Sequence, residues 1–219
     1  KKDEILEWLD KYNKEDKHLD LENQLEERIR TQGFLTKEDL TQLIEWKYRD
    51  ERRRLFLKWN EDNEDLEIKD ITKNAINSKD EKEKIKLLCK IRGVGIPLAS
   101  CILALYNPEK YCIFDIHIYD EIFNTDHKNR PKYFSSNPKY YLELLEKLRK
   151  LSEEYSLSIR DIEKALFKKN CEESKDKHIF RIHDMPEQNR PRERFLKFGV
   201  EVLIRILPLH EKSCMISLS

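Results

Sequence analysis

Residues 88–119 read LCKIRGVGIPLASCILALYNPEKYCIFDIHIY, and this stretch carries the most informative pattern of the 219-residue chain. An apolar helix edge ending at Ile91 leads into Gly93-Val94-Gly95, whose glycines can adopt positive φ angles and let another backbone approach closely. Pro97 then occupies the first turn of a second helix, where proline is best tolerated. The pattern predicts two helices joined by a tight hairpin. The unpaired N–H groups at the start of the second helix suit an anion, particularly a nucleic-acid phosphate.

A single carboxylate follows this hairpin in apolar surroundings. Asp115 lies 20 residues after Gly95 (115 − 95) and is flanked by Ile113-Phe114 and Ile116. An aspartate here either caps the helix predicted at 116–123 or serves as a functional group, and the two roles are compatible.

The whole stretch resembles the helix-hairpin-helix DNA glycosylase superfamily, the group that contains endonuclease III and the adenine and alkylbase glycosylases. The matching residues are Ile91, Gly93, Val94, Gly95 and Ala99, followed by Asp115-Ile116-His117-Ile118. The resemblance implies an all-α fold of two helical domains, with the helix-hairpin-helix motif (about 80–106) beside the cleft between them. Residues 34–114 would form the central domain, and residues 1–33 together with 115–219 the second domain.

The same resemblance implies an enzyme of base excision repair that hydrolyses the N-glycosidic bond of a damaged or mispaired base. Positive charge builds up on the sugar as the base leaves, and the Asp115 carboxylate would stabilise that charge. Bifunctional members carry a nucleophilic lysine two positions after the second glycine, where this chain has Pro97. We therefore expect a monofunctional enzyme that leaves an abasic site.

Double-stranded DNA is the expected partner, and two groups of residues are predicted to contact it. The predicted phosphate contacts are Gly93, Val94, Gly95, Ile96, Leu98, Arg49 and Arg53. The predicted base-pocket residues are Trp46, Tyr48 and His117. Trp46 also has the spacing of a core residue, and His117 is equally compatible with a half-buried structural histidine.

No cofactor is required by the pattern. The five cysteines contain no C-x-x-C pair and no metal-ligand spacing, so no metal centre is expected. Several members of the superfamily that the chain resembles hold an iron–sulfur cluster on four closely spaced C-terminal cysteines; this chain has only Cys171 and Cys214 there, so no cluster is expected. Cys89, Cys101 and Cys112 are predicted to be buried thiols. The resemblance alone implies a monovalent cation on the hairpin carbonyls.

Composition leaves two further function classes open. Charged residues make up 39% of the chain and there are only 4 glycines, which favours a helical protein. The formal net charge is zero, although residues 49–58 and 128–139 are locally basic. A non-catalytic DNA-binding module and a helical protein-interaction scaffold are the alternatives. No apolar run is long enough to span a membrane, so a cytoplasmic protein is expected (nucleoid-associated in a prokaryote), with a monomer favoured and the oligomeric state open.

Local patterns predict several further elements. A long helix is expected from the Thr36 cap toward Trp59, followed by a loop or short turn over 60–70. Caps at Asp80, Asn137 and Ser158 predict three more helix starts. Residues 170–189 look irregular, and 191–207 fit a helix or a strand.

Overall fold

The helix that follows the glycine hairpin lies at the centre of the fold. Its sequence, IPLASCILALY over Ile96–Tyr106, contains no charged side chain, and a helix that is apolar on every side must be covered by other elements. In the computed structural model, every side chain from Leu98 to Leu105 is buried. Three other helices and a short 3-10 helix pack against it. The hairpin is therefore attached to a rigid central element.

The structure describes residues 1–16, 18–48, 51–125 and 129–183, with the side chains of 51–52 and 174–183 excepted. Within these ranges the chain forms ten α-helices, one 3-10 helix and no β-strand, which confirms the predicted all-α class. The helices are α1 Lys2–Glu15, α2 Leu19–Gln32, α3 Lys37–Lys47, α4 Glu51–Glu61, α5 Asp65–Asn77, α6 Glu81–Leu88, α7 Ile96–Tyr106, α8 Ile116–Phe123, α9 Pro138–Tyr155 and α10 Ile159–His183. The 3-10 helix Phe134–Ser136 lies between α8 and α9.

Side-chain caps start four helices where the sequence predicts them. At α3, the side chains of Thr36 and Asp39 each accept a hydrogen bond from the other residue's backbone N–H. Asp80 caps α6, Asn137 caps α9 and Ser158 caps α10 through side-chain oxygens. Each cap satisfies backbone N–H groups that have no partner inside the helix.

The predicted long helix from Thr36 toward Trp59 is wrong, because it is two helices. α3 ends at Lys47, and Tyr48 is extended, with φ −114° and ψ 115°. The break lets the Tyr48 ring stack on Phe56 of α4, with ring centroids 4.3 Å apart. Aromatic stacking across the junction thus accompanies the end of α3.

Two stretches predicted as irregular are helical. α5 begins at Asp65, inside the acidic segment predicted as a loop, and Asp65 accepts a hydrogen bond from the Lys37 N–H at 2.8 Å. α10 continues through residues predicted as irregular and extends to His183. Its polar side chains are held by ion pairs to other elements, such as Lys169 to Glu121 at 3.1 Å.

Residues 1–179 form one compact unit, which contains every site discussed below. The division into residues 34–114 and residues 1–33 with 115–219 stays a prediction. The helix or strand predicted at 191–207 lies outside the described residues. No helix in the described ranges has the length and apolar character needed to cross a membrane.

The hairpin turn is packed against α4 at one glycine. Gly93 has φ +84°, a left-handed conformation that favours glycine. A Cβ atom at this position would lie 3.1 Å from the Trp59 Cβ atom. Both the backbone conformation and the contact with α4 therefore require glycine here.

We expect Gly93→Ala to destabilise the protein more than Gly33→Ala does. Both glycines are left-handed, at φ +84° and φ +72°, so alanine costs about 1–2 kcal/mol at each. A Cβ at Gly33 would meet nothing within 4 Å, whereas one at Gly93 would press on Trp59. Urea denaturation of both variants measures the difference, and equal losses would show that the Trp59 contact is unimportant.

Candidate functional site

The glycine hairpin places two free amide donors at the start of the central helix. Gly95 is exposed and is the N-cap residue of α7, with φ −94° and ψ 178°. Its carbonyl accepts the N–H groups of Leu98 and Ala99 at 3.0 and 2.9 Å. The N–H groups of Gly95 and Ile96 have no acceptor in the described part of the chain, and Pro97 has no N–H. Two adjacent donors at a helix N-terminus can bind an anion.

Two other predicted phosphate-binding residues of the hairpin use their N–H groups internally, whereas the Gly93 N–H has no acceptor in the described residues. The Val94 N–H donates to the Ile91 carbonyl at 3.0 Å, and the Leu98 N–H is used by Gly95. The side chains of Val94, Ile96 and Leu98 are buried in the core. Their phosphate contacts stay a prediction, and the hairpin N–H groups without an acceptor in the described residues are those of Gly93, Gly95 and Ile96.

An asparagine that the sequence analysis did not single out holds the hairpin in place. The Asn63 Oδ1 atom accepts the Arg92 N–H at 3.1 Å, and the Asn63 Nδ2 atom donates to the Arg92 carbonyl at 3.0 Å. Asn63 is buried, and its amide also donates to Asn60 at 3.1 Å. This two-way pairing fixes the residue before Gly93 against the α4–α5 connection.

Helix α4 flanks the hairpin with exposed cations. Trp59 contacts the hairpin at Gly93, and Arg53, Arg54 and Lys58 on the same helix are exposed. These three cations form no ion pair with the residues that the structure describes. The Arg53 side chain is thus available for a phosphate, while Arg49 lies outside the described residues.

Asp115 is both a helix cap and half of an ion pair. Its Oδ1 atom accepts the His117 N–H at 3.0 Å, which makes Asp115 the N-cap of α8. Its Oδ2 atom accepts a hydrogen bond from Lys47 Nζ at 2.9 Å. Lys47 is the last residue of α3 and lies 68 residues away in sequence. The side chains of Lys47 and Asp115 are 15% and 18% exposed, so the pair borders solvent.

Lys47 is the functional candidate that sequence reasoning missed. The available signal was the aromatic–cationic run Trp46-Lys47-Tyr48-Arg49, but nothing local connects it to Asp115. Lys47 also differs from the lysine of the resemblance, since it arises from α3 and not from the hairpin helix. The position at which the resemblance places a lysine is Pro97 in this chain, but Lys47 brings an amine to the candidate carboxylate from another helix.

The ion pair keeps Asp115 charged. Burial by itself raises the pKa of the carboxyl, but the Lys47 ammonium and the His117 N–H outweigh it and hold the pKa below its usual value. Burial likewise disfavours the charged Lys47 amine, and the Asp115 carboxylate reverses that effect and raises the Lys47 pKa above its usual value. At neutral pH the site holds a carboxylate and an ammonium.

Two backbone hydrogen bonds position the segment before Asp115. The Phe114 N–H donates to Ser100 Oγ of α7 at 2.8 Å, and the Ile113 N–H donates to Glu163 Oε2 of α10 at 2.7 Å. Ser100 Oγ itself donates to the Pro97 carbonyl at 2.8 Å. The carboxylate is therefore tied to the first turn of the same helix that carries the hairpin.

The three predicted base-pocket residues are already in contact with the protein. Trp46 is buried, and the Arg160 guanidinium carbon lies 5.8 Å from its ring centroid. Tyr48 is buried and stacks on Phe56. His117 is half-buried, and its Nδ1 atom lies 2.9 Å from Asn170 Oδ1. Their role in binding a base stays a prediction.

Nothing in the described ranges groups three or more His, Cys, Asp or Glu side chains so that they could hold a metal ion. The hairpin carbonyls implied for a monovalent cation are partly occupied, since the Ile91 carbonyl accepts from Val94 and the Arg92 carbonyl from Asn63.

Cys101 and Cys112 are buried as predicted, and burial raises the pKa of the Cys101 thiol to about 12. The predicted burial of Cys89 is wrong, because this residue follows the end of α6 and is exposed.

Comparison of the chain with protein-family models, with curated proteins and with solved structures finds no match in any of the three. The function is therefore inferred from the residues and their geometry.

We expect Lys47→Met to destabilise the protein and to reverse the pH dependence that Asp115 contributes. In the wild type the depressed Asp115 pKa adds stability above the unfolded value of about 3.9, and this is lost as the pH falls. Without Lys47, burial raises the Asp115 pKa in the folded state. The stability deficit of Lys47→Met relative to the wild type therefore grows from pH 4 to pH 7. At pH 7 we expect this deficit to be about 2–3 kcal/mol. This is less than the ~3–5 kcal/mol lost on breaking a fully buried pair, because both side chains border solvent.

Urea denaturation of wild type, Lys47→Met and Lys47→Arg at both pH values tests this expectation. Arginine keeps the positive charge and should retain most of the wild-type pH dependence. A Lys47→Met deficit that is the same at pH 4 and pH 7 would show that the ion pair does not control Asp115 ionisation.

Proposed function

We propose that this protein binds duplex DNA through its glycine hairpin and hydrolyses the N-glycosidic bond of an extruded base with the help of Asp115. The single observation that carries the proposal is the hydrogen bond from the Phe114 N–H to Ser100 Oγ of α7. It connects the residue before Asp115 to the helix whose N-terminus offers free amides at Gly95 and Ile96. Ser100 lies four residues after Ile96, about 6 Å along the helix axis. The free amides and the segment before the carboxylate are thus both attached to α7.

The chemistry follows from the charge of the site. Departure of the base leaves positive charge on the sugar, and a nearby carboxylate stabilises that charge. Asp115 is ionised at neutral pH and mostly buried beside the Lys47 ammonium, and burial strengthens electrostatic interactions. The base must first leave the duplex stack, which is easiest for a damaged or mispaired base. Selectivity for lesions follows in part from that difference.

The proposed reaction is monofunctional. Pro97 occupies the position at which the resemblance places a lysine nucleophile, and proline has no amine to attack the sugar. Lys47 is charged by its pairing with Asp115, and an ammonium is not a nucleophile. The expected product is an abasic site in an intact strand.

A non-catalytic DNA-binding module is the second candidate, and one observation favours it. Both Asp115 oxygens already accept hydrogen bonds, one from the His117 N–H and one from Lys47. In this second candidate, the role of Asp115 is structural: it caps α8 and joins that helix to α3. The hairpin donors and the exposed cations of α4 serve DNA binding equally well in both candidates.

We expect single-turnover base release from at least one lesion-bearing duplex, and loss of that release in Asp115→Asn. Asparagine keeps the cap on α8 but removes the charge, so a rate loss of about 100-fold or more with retained DNA affinity identifies a charge-based role. Strands should break only after alkali is added. Breakage without alkali would contradict the monofunctional reaction. No release by a protein that still binds the duplexes would favour the second candidate.

We expect Gly95→Asp to weaken DNA binding without damaging the fold. Gly95 has an extended N-cap conformation, and its nearest neighbour for a new Cβ is Pro97 Cδ at 3.8 Å, so an aspartate side chain fits without strain. Stability should be equal or a few tenths of a kcal/mol higher. The added negative charge beside the amides of residue 95 and Ile96 should repel a phosphate and weaken binding at least about 10-fold at low salt.

Gly95→Asn is the matched control for this test, because asparagine has the shape of aspartate without the charge. Its affinity should fall between those of wild type and Gly95→Asp in a salt-dependent binding assay. Equal affinities for all three proteins would remove the hairpin from the interface. An affinity of the wild type that does not fall with salt would exclude phosphate binding altogether.

A further inference from the structure

Tyr133 is an exposed aromatic residue in a strained backbone conformation. Its side chain is 68% exposed, and its backbone is left-handed, with φ 61° and ψ 25°. Left-handed conformations are uncommon for residues other than glycine and asparagine, and strained residues persist only where the surroundings determine them. An exposed ring at such a position calls for an explanation.

The surrounding turn holds this conformation without using the ring. The Tyr133 carbonyl accepts the N–H groups of Ser136 and Asn137, both at 3.1 Å. The next residue, Phe134, is buried and packs on Phe114 and Tyr119, with ring centroids 4.5 and 4.4 Å apart. Phe134 therefore anchors the turn. Glycine at position 133 would adopt the same left-handed backbone conformation with less strain.

The turn lies close to the candidate site. Phe134 packs on Phe114, and Phe114 directly precedes Asp115 in the chain. The anchor of the turn thus contacts the segment that carries the carboxylate, and Tyr133 is one residue from that anchor.

The chemistry around the ring suits a nucleic acid. Residues 129–139 contain three basic and no acidic side chains; Arg130 is paired with Asp120 at 2.6 Å, and Lys132 is exposed. Lys132 Nζ lies 5.0 Å from the centroid of the Tyr133 ring. The exposed Lys139 follows at the start of α9, where Glu143 lies 3.6 Å from its ammonium. An aromatic face next to cations matches the platform on which a base stacks while its phosphates are neutralised.

We propose that Tyr133 is a stacking platform for an unstacked base of the bound DNA, with Lys132 beside the neighbouring phosphate. The inference rests on the proposed function, because it assigns a base contact to DNA bound at the same site. A base exposed at the edge of a disrupted duplex loses one stacking neighbour, and the tyrosine ring replaces it.

The test compares Tyr133→Gly and Tyr133→Trp with wild type on a duplex that carries one extrahelical 2-aminopurine. We expect Tyr133→Gly to bind about 10-fold more weakly, while its thermal midpoint stays equal or rises because the backbone strain is relieved. Tyr133→Trp should retain the affinity and the quenching of the 2-aminopurine fluorescence by stacking. Ser156→Gly is the matched control, since Ser156 is exposed and left-handed, with φ 52°, but carries no ring. It should leave DNA affinity unchanged.

Three results would overturn the stacking role. Equal affinity and equal fluorescence for wild type and Tyr133→Gly would show that the ring does not contact the base. A lower thermal midpoint of Tyr133→Gly would assign the ring to the fold. A wild type that binds no duplex would refute the proposed function together with this inference. If Asp115-dependent base release is intact and Tyr133→Gly binds normally, only the stacking role fails.

Discussion

Burial of α7 is the constraint on which the rest of the structure depends. The helix has no charged side chain, so other elements cover it on all sides and the polar atoms that it brings into the core need partners. Ser100 Oγ meets that need by donating to the Pro97 carbonyl and accepting the Phe114 N–H. The packing that fixes the hairpin therefore also fixes the segment before Asp115.

A buried charge cluster extends the same coupling to α2 and α10. The guanidinium of Arg160 donates to Glu22 at 2.8 Å and also pairs with Glu163. The second oxygen of Glu163 accepts the Ile113 N–H, which belongs to an extended segment outside any helix. Buried charges are costly unless all their hydrogen-bonding groups are matched. In this cluster Glu163 accepts hydrogen bonds both from Arg160 and from a backbone N–H group. The cluster therefore positions the segment that leads to Asp115 and also joins α2 to α10.

Local chemistry explains which features the sequence could predict. The capped starts at Thr36, Asp80 and Asn137 depend on residues within one helical turn, and all three are found. The cap at Asp115 was predictable for the same reason. The break after Lys47 and its pairing with Asp115 were not, because the partners lie 68 residues apart and only the packing of α3 brings them together. The part of α10 up to Glu172 is likewise held by ion pairs to distant elements, such as Lys11 with Glu172 at 3.0 Å, which no local pattern contains.

Zero net charge does not by itself oppose DNA binding, because the charges are unevenly matched. Several acidic side chains near the N-terminus are neutralised by α10, as in the pairs of Glu4 with Lys169 at 3.1 Å and of Glu22 with Lys164 at 3.0 Å. At α4, by contrast, Arg53 is exposed and forms no ion pair with the described residues. A phosphate responds to the local field and not to the sum over the chain. Beside the hairpin, the exposed cations of α4 meet the exposed acidic side chains of Glu61, Asp62 and Glu64, so the arrangement of these charges, and not the net charge of zero, determines how this surface meets an anionic ligand.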